Sequence, residues 1–129
     1  MLGWALSAAI IVSLVAVGLG ALWAPGRWAA LYGIVLDDQR ALAFIRAMGV
    51  RDIVIGGLLA VIAYQRARRA LGWALFLTAV VALADYVVVA ADRRAATPAS
   101  RAHTMDTRVL HATSAVGLVL AACLLLAGY

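Results

Sequence analysis

The sequence predicts an all-α integral membrane protein, a bundle of four transmembrane helices forming one domain over residues 1–129. Three observations carry that prediction. Apolar residues make up 67% of the chain and charged ones only 13%, against about half and about a quarter in soluble domains. The mean hydropathy is +1.02. Four stretches supply the roughly 20 apolar residues that crossing about 30 Å of hydrocarbon requires. The segments between them are short and hold most of the arginines.

The first predicted helix covers residues 3–23 and is stopped by Pro25 and Gly26. It has no basic residue ahead of it and is longer than a signal core, so it reads as a permanent helix. The following loop contains "RWAALYGIV", a short amphipathic piece suited to the interface. The second helix covers residues 41–64 and contains Arg46, Arg51 and Asp52. A tight basic turn, "QRARR", leads to the third helix over residues 70–91, interrupted only by Asp85. A polar loop with Pro98 precedes the fourth helix over residues 109–128. Trp4, Trp23, Trp28, Tyr64, Trp73 and Tyr129 fall near predicted ends, where amphipathic rings prefer the interface.

Every cation is Arg and every anion is Asp, for a net charge of +5. No aromatic residues interleave with the arginines as nucleic-acid binding requires, so the basic excess reads as attraction to anionic headgroups. Cys123 lies alone in an apolar run and reads as a small core residue. No redox cofactor motif and no metal-ligand set is present. His103, Asp106 and His111 have a spacing that matches no metal site. The arginine count per side favours Arg27, Arg40, Arg93, Arg94, Arg101 and Arg108 as the cytoplasmic set, while the density of the "QRARR" turn argues the reverse.

The intramembrane charges are the informative residues. A charge at mid-helix costs about 2.5–3.5 kcal/mol on insertion scales, so Arg51, Asp52 and Asp85 would cost about 8–10 kcal/mol facing lipid. Such residues face a bundle interior and pair there. By helical rise, Arg46, Arg51, Asp52, Asp85 and His111 occupy one half of the bundle, which suggests a polar pocket closed at its base by the apolar "LLAVIAY" and "LVLAACLLLAGY". Gly49, Asp52 and Gly56 share one helical stripe, Arg46 is expected on the same stripe three residues ahead of Gly49, and the glycines allow a neighbouring helix to approach. Arg51 is turned about 100° away toward another neighbour. Asp85 is the anion expected for one of the arginines. The competing structural readings are plain. The ions could serve only helix order, His111 could be an interfacial residue, Arg46 could snorkel to headgroups, and the glycines could serve packing alone.

Pro25 followed by "YGI" from Tyr32, then "RAMGVRDIVIG" from Arg46, the basic "RARRALG", the lone Asp85 and the helix-opening His111 together resemble a known family. It is the small four-helix membrane family called domain of unknown function 4267, related to DoxX-like bundles. The resemblance covers the chain from about residue 20 onward. It implies a four-helix bundle with a polar cluster. It also implies a place beside natural-product pathways, where small membrane proteins act as cyclases or isomerases on lipophilic intermediates.

The expected function is a pocket for a lipophilic small molecule in a bacterial inner membrane. Asp85, His111 and Asp52 are the catalytic candidates, and Arg46, Arg51 and Tyr32 the ligand-binding ones. Gly49 and Gly56 are the packing residues. Paired acid and base groups suit isomerisation, cyclisation or epoxide opening without a cofactor. The alternative is a non-catalytic scaffold or accessory subunit. Membrane lipids, a second copy of the chain or another membrane protein are the partners expected.

Overall fold

Inside lipid no water satisfies backbone N–H and C=O groups, so apolar segments of this length become helices. In the computed structural model the described residues are 1–31, 39–92 and 105–128, with side chains over 1–30, 42–87 and 113–128. Every secondary-structure element among them is a helix: α1 (Leu2–Trp23), α2 (Pro25–Leu31), α3 (Gln39–Tyr64), α4 (Arg68–Asp92) and α5 (Met105–Ala127). Three spans are long and apolar enough to cross a membrane: Leu2–Trp23, Leu42–Tyr64 and Arg68–Val87. A shorter apolar helix, Thr113–Ala127, lies within α5.

Pro25 does two jobs. It ends α1 and opens α2, because a proline at the first helical position gives up an N–H that would be unpaired anyway. The amphipathic piece expected after α1 is therefore a short helix beginning at Pro25, ahead of the "RWAALYGIV" stretch. α3 begins at Gln39, α4 at Arg68 and α5 at Met105, each a few residues before the apolar run that marks it. Polar residues extend a helix at its end without cost, and an apolar criterion misses them.

The long helices form an up-and-down bundle. Gly18 of α1 lies against Gly49 of α3, while Gly56 lies against Ile11 and Val15, so α1 and α3 run antiparallel. Gly72 of α4 lies against Ala122 and Leu126 of α5 while Arg68, one turn earlier, reaches Gly128, so that pair is antiparallel too. α1 packs most extensively on α3 and α4 on α5, and α3 and α4 share the thinnest seam between neighbouring long helices.

Unlike a soluble bundle, this one exposes many large apolar side chains, and α1 buries small residues instead. Gly3, Ser7, Gly18 and Ala21 are buried in α1, while Val12, Phe44, Val54, Leu58, Leu77, Leu83 and Leu120 are exposed. Lipid is as apolar as Leu, so small residues at the interface hold such helices by close packing. Ser7 and Thr78 donate to the carbonyls of Gly3 and Ala74 one turn back, at 2.7 and 2.8 Å, which satisfies their hydroxyls within their own helices. The buried apolar residues form two groups. The larger contains Leu59, Leu71, Leu75, Leu118, Ala122 and Leu125, and the smaller contains Ala21, Ala29 and Ile45 near α2.

The α3–α4 connection is a Schellman motif. Ala67 N–H donates to the Ile62 carbonyl at 3.3 Å and Arg66 N–H to that of Ala63 at 3.0 Å. Arg66 sits at φ 53°, where glycine is usual. A side chain there costs about 1–2 kcal/mol, and glycine returns part of that as unfolded-chain entropy. Arg66→Gly is therefore expected to stabilise the fold by about 0.5–1 kcal/mol. Thermal unfolding in detergent checks this, and an unchanged or lower midpoint contradicts it.

Candidate functional site

α3 presents two buried stripes. Ile45, Gly49, Asp52 and Gly56 are buried, and both glycines of this stripe meet α1. Ile55, Leu59 and Ile62 pack into the larger core with α4 and α5 residues. Arg51 stands one turn before Ile55, at the head of that second stripe. Adjacent in sequence, Arg51 and Asp52 thus belong to different faces of one helix. Asp52 lies about 18 Å along the axis from Tyr64 and about 20 Å from Gln39, midway through α3.

Arg51 joins both faces. Its Nε and Nη2 donate to Asp52 Oδ1 at 3.2 and 3.1 Å. Its Nη1 and Nη2 donate to Asp85 Oδ1 and Oδ2 on α4 at 3.3 and 2.9 Å. The second pair is the bidentate fork that a planar guanidinium offers a carboxylate. The Asp52 side chain is 12% exposed, that of Asp85 27% and that of Arg51 37%. The triad is therefore graded, with one carboxylate sealed beside the α1 contact and the other half open at the thin seam. Arg51 donates two hydrogen bonds to each carboxylate.

Asp85 pairs with Arg51, which answers which arginine it meets. Arg46 falls off the stripe of Gly49 and Asp52, and is exposed. Each three-residue step turns the helix back by about 60°, so two such steps from Arg46 to Asp52 accumulate to about 120°. Gly49 and Gly56 lie where the stripe placed them. A Cβ on Gly49 would meet Gly18 O at 2.7 Å and Ala21 Cβ at 2.9 Å, and one on Gly56 would meet Val15 Cγ2 at 2.8 Å. Gly18 is the packing partner of Gly49 that the sequence alone did not single out.

Tyr32 lies outside the described residues, and so does the side chain of His111. The backbone at 111 belongs to α5. In the antiparallel α4–α5 register, Gly72 faces Ala122 and Leu126. Following both helices by the 13 residues that separate Gly72 from Asp85 reaches positions 109–113 of α5. Position 111 is thus level with Asp85 along the helix pair.

Fold and site define a class: a small helical membrane-type bundle with an arginine held between carboxylates of two facing helices. The chain matches the family described as Domain of unknown function (DUF4267) over residues 9–126, and it belongs to that family. No curated protein and no solved structure matches it.

Proposed function

We propose that the Arg51–Asp52–Asp85 triad is the polar end of a pocket for a lipophilic small molecule, in a protein of the bacterial inner membrane. The single observation behind this is the grading of the triad: a bidentate ion pair stands between two long apolar helices, partly open, at the thinnest seam of the bundle. An apolar ligand entering between α3 and α4 would meet this seam first. Asp52 is the carboxylate that stays on Arg51, being the more enclosed. Asp85 is the one that a polar ligand group displaces. Arg46 and Tyr32 are further candidates for the ligand's polar end.

The chemistry that suits this arrangement is proton transfer. Asp85 removes a proton from one position of the ligand and His111 returns one at another, so the ligand's composition and redox state are unchanged. Isomerisation, cyclisation and epoxide opening belong to this class. A second reading rests on a specific observation as well. Arg51 is engaged by two carboxylates at once, as expected of an ion network that orders α3 and α4 in a scaffold or accessory subunit.

Native mass spectrometry in mild detergent separates the two, with wild type and Asp85→Asn released from their own membranes. A discrete lipophilic adduct on wild type, absent from the folded variant, is the expected result. Adduct-free wild type together with a large drop in the variant's melting temperature would favour the scaffold.

A further inference from the structure

The end of the bundle remote from the triad carries its own chemistry. Arg66, Arg68 and Arg69 fall within four residues at the α3–α4 connection, and among the described residues no aspartate lies at this end. Arg66 and Arg69 are exposed, and Arg68 is half-buried. The left-handed backbone at Arg66 and its two closing hydrogen bonds fix the turn, so the three side chains leave a rigid support. Arg68 folds toward α5: its Nη1 lies 2.8 Å from where a Cβ on Gly128 would stand. It thereby places a cation at the C-terminal end of that helix, where carbonyls without helical partners favour one.

Aromatic residues mark a second level. Tyr64 closes α3 and is 89% exposed; Trp73 is 58% exposed and meets Phe76 edge-to-face at 6.1 Å. Trp73 lies about 7.5 Å along α4 from Arg68. Exposed rings at this spacing below a cationic turn match the glycerol level of a bilayer beneath its phosphates. We infer that the 66–69 turn is a binding site for the phosphate headgroup of an anionic phospholipid, with Arg66 and Arg69 as the contacting cations and Tyr64 and Trp73 bracing the glycerol region. The site is independent of the ligand proposed at the triad.

The test uses the full chain in lipid nanodiscs of phosphatidylcholine with about a quarter phosphatidylglycerol, followed by native mass spectrometry that counts retained lipids. An arginine near an anionic surface contributes about fivefold in affinity. Wild type is expected to retain phosphatidylglycerol over phosphatidylcholine. The Arg66→Asn/Arg69→Gln variant is expected to lose roughly 25-fold of that preference. Asn tolerates the left-handed backbone, and Arg68 keeps its place at α5, so the variant retains the fold; its melting midpoint verifies this. The Arg27→Gln variant, altered at the opposite end, should keep the preference. An unchanged preference in the double variant overturns the proposal, as does an equal loss in Arg27→Gln. Displacement of the lipid by millimolar glycerol phosphate would also overturn it, by showing a site for soluble phosphate.

Discussion

Replacing Arg51 by methionine is expected to be the most damaging change at the triad. It strands two carboxylates on facing long apolar helices, with no cation between them. Removing one partner of a fully buried ion pair costs about 3–5 kcal/mol. The 37% exposure of Arg51 and 27% of Asp85 reduce that to about 2–4 kcal/mol. Asp85→Asn should cost only about 1 kcal/mol, because Arg51 keeps Asp52 and the amide oxygen still accepts. The asymmetry follows from two carboxylates sharing one guanidinium. Thermal or denaturant unfolding of both variants in the same detergent measures it, and equal losses would contradict the triad as drawn. The triple variant Arg51→Met/Asp52→Leu/Asp85→Leu removes every charge together and should regain most of the lost stability. Loss of a lipophilic adduct from that folded protein would point to ligand chemistry. Full retention of a membrane partner would point to scaffolding.

The parts legible in the sequence are those set by length and period. Apolar runs near 20 residues fixed where the long helices lie, since lipid leaves the backbone few alternatives. The spacing of Gly49, Asp52 and Gly56 fixed a shared face, because 3.6-residue geometry is indifferent to the partner. That same geometry separates Arg46 from Asp52, as two steps of three residues turn it off the stripe. The cost of an unpaired intramembrane charge required a partner for Asp85, but sequence could not choose it. The choice depends on how α4 rotates against α3, and that rotation is set by Leu59, Leu71, Leu75 and Ala79 in the core below. Gly18 was faint because its role exists only in the tertiary contact. Nothing local distinguishes it from Gly20, which instead lies under the Trp28 ring.

That contact yields the other large effect. Gly49→Val is expected to destabilise the protein by about 3 kcal/mol, the upper part of the usual range for overpacking. The obstacle is backbone: the new Cβ would stand 2.7 Å from Gly18 O and 2.9 Å from Ala21 Cβ, and neither is the end of a flexible side chain. α1 must therefore move away from α3. Gly57→Val is the matched control on the same helix. A Cβ there meets nothing within 4 Å, and valine and glycine differ by only a few tenths of a kcal/mol in helix propensity. Gly57→Val should leave the melting midpoint nearly unchanged. The consequence at the site follows from proximity: Asp52 lies one turn beyond Gly49 on the same stripe, so displacing α1 opens the side that encloses it. Gly49→Val should therefore weaken both the fold and any adduct that depends on the triad, while Gly57→Val spares both. Equal midpoints for the two variants would show that the α1–α3 contact yields without cost, and would remove the support that holds Asp52 in place.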